Sequence, residues 1–419
     1  MSLNINKNFI LIFIFLNLLL TRYFENILLA GIPLNQIFLI FLIFSINFFN
    51  VMRSLTISLN LNVYYYFLSY GIIMIIYGGI NNGIWAFRDG LYIINSLFLP
   101  IGYYFSKKIF TYDVLNKFFK YLIFFSILYV IFRIFGLDKL SPAIYSYQGN
   151  EFKLINYWGS TILWVWCFFI IVINYQYKNI YILLSLILIM AAIMFAQQRT
   201  LYLAIIFIFI FLYFFHKSKE IKYFKYLYIF FFIIFFYNLF NISIEGRINN
   251  FSLEFLFNHF KTLFFFLGNN DENLVSQVGS AKIRLFWWKQ IILEITSDPF
   301  LFFFGKGFGE PLIDFSPSPG VYAREPHNLF ITILGRQGFI GIFIFLIFKY
   351  KLIKIFFNLV KENNNNILVY KHLITFFIYF LIVFTFFLSD STLTYSYFSI
   401  PFYFFWGVII GKSNSENKA

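Results

Sequence analysis

His327 lies between Pro326 and Asn328, where a long polar stretch gives way to an apolar run. Proline is at home in the first turn of a helix, so this tripeptide predicts a helix with the histidine at its start. The positive end of the helix dipole favours neutral imidazole there, the form that takes a proton from a hydroxyl. At about 100° per residue, Gly338 lies about 20° from His327 and Gly341 about 40° to the other side. All three then share a face, and the bare strip beneath the ring has room for a neighbouring helix or a lipid chain. Asn328 and the two glycines join His327 as candidate site residues.

The second chemical signal is arginine. Arg247, Arg284, Arg324 and Arg336 lie in or at the border of the stretch 241–326, and Arg199 opens an apolar segment in Gln197-Gln198-Arg199-Thr200-Leu201. A guanidinium presents a planar fork of donors that grips phosphate or carboxylate through two bonds at once. Lipid headgroups or the carboxylates of Glu245, Glu254, Asp298 and Glu325 compete as partners for any one of them. Arg199 stands apart, because an uncompensated charge so close to hydrocarbon is costly and usually functional. Arg336 falls on the face opposite His327 and deeper, where packing or a partner such as Asp390 is expected. His216 and His372 adjoin lysines and His259 sits mid-stretch. None has metal-ligand spacing, and neither metal nor cofactor is expected.

These residues must be positioned by membrane helices. The chain is 61% hydrophobic and 12% charged, with a mean hydropathy of +0.77. Many of its runs reach the roughly 20 apolar residues that cross about 30 Å of hydrocarbon. Only helices satisfy their own backbone in that setting without closing a barrel, so the fold expected is an all-α polytopic membrane protein. Apolar runs separated by charge or turn signals give about twelve spans: 8–21, 27–48, 63–80, 85–105, 115–135, 155–173, 179–196, 200–215, 224–240, 327–348, 367–388 and 393–411. The organisation is then a nine-helix bundle over 1–240, a loop over 241–326, three helices over 327–411 and a tail over 412–419. The first run reads as a retained helix and not a cleaved leader, since further spans follow at once. The single cysteine, Cys167, lies inside a span, which argues against disulfide or zinc chemistry.

Charge sets the orientation. With both termini cytoplasmic, the inner loops collect Lys107, Lys108, Lys117, Lys120, Lys217, Lys351, Lys354, Lys361 and Lys371, as the positive-inside rule asks, and the long loop faces outward. The net charge of +14 is thereby topogenic and calls for no nucleic acid. Eight of the nine arginines, all but Arg53, fall on the outer side. Topology rules do not distinguish arginine from lysine, so the outer face is expected to hold an anion. Within the loop, Ala281–Ile295 reads as a helix lying in the interface, its aromatic side toward lipid and its cations toward headgroups. Asp298-Pro299 ends it, and Gly305-Lys306-Gly307-Phe308-Gly309 reads as a hinge. No GK[ST] follows those glycines and no strand precedes them, so they are not a nucleotide loop.

Taken together, these features resemble the O-antigen polymerase/ligase family of polytopic glycosyltransferases. The likeness is carried by His327-Asn328 with Gly338-Phe339-Ile340-Gly341 and by Arg199 opening a span. It also rests on Arg284 with Trp287 and Trp288 ahead of Asp298-Pro299 and the spaced glycines, and on a large outer loop between the ninth and tenth spans. The motifs cover roughly residues 180–345. The resemblance implies a GT-C-like bundle in the bacterial inner membrane with its site facing the periplasm. It implies transfer of a polyprenyl-pyrophosphate-linked glycan to a hydroxyl with inversion, without cofactor. In that reading His327 is the base and Arg199 and Arg284 hold the pyrophosphate, while Arg247 and Arg324 are further substrate ligands. Its partners are the lipid-linked glycans, the bilayer and a chain-length regulator. A polymerase joins repeat units to one another, and the biased composition of a glycan-specific gene cluster favours it. A ligase delivers the glycan to lipid A-core or another acceptor. A flippase for lipid-linked oligosaccharide is the reading from another class. It would place ionisable groups near the midplane in paired repeats, whereas here the arginines gather at one face and no repeat is visible.

Overall fold

A computed structural model describes residues 6–416 apart from 30, 60, 110, 136–139, 146–150, 155–156, 176–179, 197, 216–271 and 314–323. The expected ninth span at 224–240, Arg247, His216 and His259 lie outside the described residues.

The described chain is helical, with two short antiparallel hairpins in connections: β1 (Leu28–Leu29) with β2 (Ile32–Pro33), and β3 (Ala143–Tyr145) with β4 (Glu151–Lys153). The first half runs α1 (Lys7–Glu25), α2 (Leu34–Ser45), α3 (Phe48–Leu59), α4 (Asn62–Asn82), α5 (Ile84–Asp89), α6 (Leu91–Ile94), α7 (Phe98–Ile109) and α8 (Tyr112–Ile134). Next come α9 (Tyr157–Asn174), α10 (Ile180–Phe195) and α11 (Arg199–Phe215), then α12 (Glu272–Ser297) and α13 (Pro299–Phe304). The C-terminal helices are α14 (Leu329–Glu362), α15 (Ile367–Phe387) and α16 (Ser396–Glu416).

Five described helices are long and apolar enough to cross a membrane: α1, α4, the 112–132 part of α8, α14 and α15. The pair α2 and α3, bent by 82°, makes a sixth if counted as one broken span. The twelve continuous spans expected from hydropathy are thus only partly matched. The apolar cores of α9, α10 and α11 are shorter, and at 1.5 Å per residue a helix of about 15 residues covers only about 22 Å. The expected span 85–105 is replaced by α5, α6, a 3-10 turn at Asn95–Leu97 and α7. Its interruption coincides with buried polar side chains at Asp89, Asn95 and Ser96, all of which find partners on other elements or on nearby backbone.

The closest helix crossing is that of α7 with α16. A Cβ at Gly102 would overlap the Phe404 carbonyl, and one at Gly407 would overlap the Leu99 carbonyl. Between lipid-embedded helices, such backbone approach supplies packing that the hydrophobic effect cannot. Gly407→Val is therefore expected to lower stability by about 1–3 kcal/mol through overpacking. A drop in the melting temperature of the detergent-solubilised protein would register it, and an unchanged melt would refute the close crossing. Beside this seam Trp166 packs against Phe376, Tyr379 and Phe405 and donates its indole N–H to the Thr375 carbonyl at 2.8 Å.

The loop region departs from its sequence reading in two ways. First, α12 is a helix as expected, but its tryptophans face protein. Trp287, Ile291 and Ile295, spaced by four, bury against Leu312 and Ile313 with Ile331 and Leu334 beside them. Trp288 donates to the Pro326 carbonyl at 2.7 Å. The exposed apolar side is Leu285, Phe286, Ile292 and Leu293.

Second, Gly305–Gly309 is no hinge. All five residues are buried. The Lys306 and Gly307 amides donate to the Gly335 and Arg336 carbonyls of α14 at 2.8 and 3.0 Å, and Asn82 of α4 donates to the Phe308 carbonyl at 3.1 Å. Those α14 carbonyls are available because Gly338 (φ 63°, ψ −166°) breaks the helical ladder. A Cβ at Gly338 would overlap the backbone of Phe303. The kink thus seats α13 against α14, and it also defeats the sequence argument that placed His327, Gly338 and Gly341 on one face. That argument assumed an unbroken helix. Of the strip it foresaw, Gly341 still faces a neighbour, Tyr70 of α4.

Candidate active site

Asn328, not Pro326, opens α14. Its carboxamide oxygen accepts from the Phe330 and Ile331 amides at 3.0 and 3.2 Å, which satisfies two of the donors left free at a helix start. His327 therefore stands just outside the helix, before the cap and not within the first turn where the sequence places it, and its φ is +50°. A non-glycine residue in that region costs energy and persists where its surroundings fix it. Here Trp288 holds the carbonyl of Pro326, and Asn328 is tied both to the helix and, through its amide, to the Leu388 carbonyl at 3.3 Å.

The turn between α15 and α16 is where the functional side chains meet. His327 Nδ1 lies 3.2 Å from Asp390 Oδ1, and both side chains remain partly open, at 37% and 29% exposure. Asp390 Oδ1 also accepts the Ser391 amide at 2.8 Å, which fixes the carboxylate. Arg284 of α12 donates from Nη1 to the Ser389 carbonyl at 3.1 Å. Thr200, the residue after Arg199 in the first turn of α11, meets Ser389 Oγ at 2.9 Å. Thr332 Oγ1 meets Ser391 Oγ at 2.8 Å. Residues 388–391 thus gather α11, α12, α14 and the histidine.

The chemistry follows from these contacts. A carboxylate on Nδ1 selects the tautomer with the proton there and leaves a lone pair on Nε2, the arrangement of an oriented general base. Burial pulls the Arg284 guanidinium below its ordinary value, with Asp390 working in the other direction. Among the described residues, no carboxylate lies within ion-pair distance of Arg284.

Arg324 and Arg336 belong to a different cluster. Arg336, fully buried, pairs with Asp89 at 2.8 Å and approaches Glu325 at 3.7 Å. Arg324 pairs with Asp89 at 3.2 Å, donates to the Gly309 carbonyl at 2.7 Å and lies over the Trp85 ring. The partner expected for Arg336, Asp390, is instead the partner of His327. Burial among Asp89 and other acids pushes the Glu325 carboxyl above its usual range, with Arg336 opposing. This cluster braces the segment that leads into His327. Of the eight residues singled out in sequence, His327, Asn328 and Arg284 meet at the 388–391 turn, and Arg199 opens the helix docked there. Arg324 is held by Asp89, Gly309 and Trp85, Gly338 and Gly341 lie at close backbone and side-chain contacts, and Arg247 is not among the described residues.

Residues 183–346 match the Wzy_C family, whose description is O-antigen ligase. This match, over less than half of the chain, supports the O-antigen ligase/polymerase family. The matched region runs from α10 to the middle of α14, so it contains Arg199, Arg284, His327 and Asn328. It stops short of Asp390, which comes to the site from outside it. Enzymes of this family transfer glycans. No curated protein matches the chain.

The sequence reading missed Asp89 and assigned Asp390 to Arg336, away from His327. Asp390 in Leu388-Ser389-Asp390-Ser391 and Asp89 in Arg88-Asp89 are isolated acids beside apolar runs. An acid so placed needs a partner, and that was the available signal. Which cation it would find was not encoded nearby.

Proposed function

We propose that the chain is a membrane glycosyltransferase that polymerises polyprenyl-pyrophosphate-linked repeat units into surface polysaccharide. The observation that carries this reading is the half-open His327–Asp390 pair on the same turn as Arg284. Asp390 holds the imidazole, and Nε2 takes the proton of an acceptor hydroxyl. The freed oxygen attacks the anomeric carbon while its bond to the pyrophosphate breaks, which inverts that centre. The electrons leave with the polyprenyl pyrophosphate, and Arg284 and Arg199 neutralise the departing charge. The lysine-rich ends of α7 and α14 mark the cytoplasmic side, and the 388–391 turn lies at the opposite, periplasmic end of a bacterial inner-membrane bundle. A second reading, transfer of the glycan to lipid A-core or another acceptor, is favoured by the ligase description of the matched family.

Deletion of the gene, followed by electrophoresis of surface polysaccharide, separates the two. Core capped with a single repeat supports the polymerase. Bare core with unligated long chains supports the ligase. Unchanged polysaccharide would overturn both.

A further inference from the structure

Arg22, at the outer end of α1, reaches the same segment from the other side. Its Nε donates to the Tyr397 hydroxyl at 3.3 Å, and its guanidinium lies 5.1 Å from the centre of the Tyr395 ring. The end of α1 is pinned there, because Glu25 accepts the Ser396 amide at 2.7 Å. Thr21, immediately before Arg22, leaves the helical conformation at φ 47° and ψ −120°. A β-branched residue at positive φ is a true outlier, and outliers of this kind collect where a side chain must be aimed. Arg284 holds the Ser389 carbonyl and Arg22 meets Tyr395 and Tyr397, so both guanidiniums dock on the one short segment that also carries Asp390, the partner of His327. Arg324 and Arg336 are neutralised by Asp89. The side-chain contacts of Arg22 are with tyrosines, no carboxylate lies within ion-pair distance of it among the described residues, and the Glu25 carboxylate acts on it from farther off.

We propose that Arg22 is a further pyrophosphate ligand, bracketing residues 389–397 together with Arg284; the inference rests on the transferase reading above. Two separate guanidinium forks suit a diphosphate, which presents two phosphoryl groups, better than a monophosphate.

The test uses the purified full-length protein in detergent, with farnesyl pyrophosphate and farnesyl monophosphate as probes. The wild type is expected to prefer the pyrophosphate. Arg22→Gln is expected to weaken pyrophosphate binding roughly tenfold or more, as loss of a charge-assisted bond should. The preference over monophosphate should shrink with it, a change that general loosening of α1 would not produce. Arg53→Gln, a substitution at the lysine-rich end, should bind as wild type does. If Arg22→Gln fails to melt cooperatively, Arg22→Lys decides instead. It keeps the charge but loses the fork, and several-fold weaker pyrophosphate binding is expected. A folded Arg22 variant with wild-type affinity and preference would overturn the proposal while leaving the transferase reading intact. Failure of the wild type itself to prefer pyrophosphate would overturn both.

Discussion

His327→Ala is expected to slow glycan-chain extension by about a hundredfold to ten-thousandfold, the range that a positioned general base supplies. The protein should remain folded, because the side chain is partly exposed and its one hydrogen-bond partner among the described residues, Asp390, is partly exposed as well. Removing the imidazole also relieves none of the backbone constraint, which comes from Trp288 and Asn328 on either side. Asp390→Asn should lower turnover too, since a carboxamide holds the ring without the charge that selects the Nδ1–H tautomer. Initial rates in proteoliposomes carrying lipid-linked repeats, with no added energy source, measure both variants. Melting temperatures recorded in parallel separate chemistry from folding. A His327→Ala protein that extends chains at the wild-type rate would remove the base from the mechanism.

The largest effect on stability is expected at Arg336. Its guanidinium is fully buried between Asp89 and Glu325, and Arg336→Met fills a similar volume while leaving both carboxylates without it. Breaking a buried pair from one side costs about 3–5 kcal/mol. Arg324 stays 3.2 Å from Asp89, so the loss should fall toward the lower end of that range. Adding Asp89→Asn should restore part of the stability, because the stranded charge is then removed. A double-mutant cycle on thermal unfolding in detergent measures the coupling. Additive losses would mean that the two charges do not depend on each other. Because this cluster leads directly into Pro326 and His327, Arg336→Met is also expected to reduce turnover.

How much of the site could be read in advance varies with how local its cause is. His327 and Asn328 declared themselves through a helix start, and an N-cap is a matter of three or four consecutive residues. Even so, the histidine was placed inside the first turn when it stands before the cap, because Pro326 and Asn328 are both plausible openers and only the backbone chooses between them. Arg284 was legible as a cation on an apolar helix. Its contact with Ser389 was not, since 105 residues separate the two. The same holds for Asp390, which the sequence reading offered to Arg336 and the fold gives to His327. The glycines misled for a more specific reason. Gly305, Gly307 and Gly309 look flexible in a linear reading, yet their positive φ values serve a fixed path buried against α4 and α14.

By itself the sequence determined that the chain is a helical membrane protein, and which of its segments carry lysine and which carry arginine or histidine. These properties follow from hydropathy and charge summed over short windows, and any packing of the helices would preserve them. The tertiary structure alone decided which acid serves which cation, and that α1 brings Arg22 to Tyr395 and Tyr397. Hydrocarbon-facing helices rich in Phe, Ile and Leu have many nearly equivalent rotations about their axes. Small backbone contacts choose among them: Gly407 on Leu99, Gly338 on Phe303 and Asn328 on Leu388. Each such contact fixes the phase of a helix, and the phase fixes which distant charge lies within bonding distance.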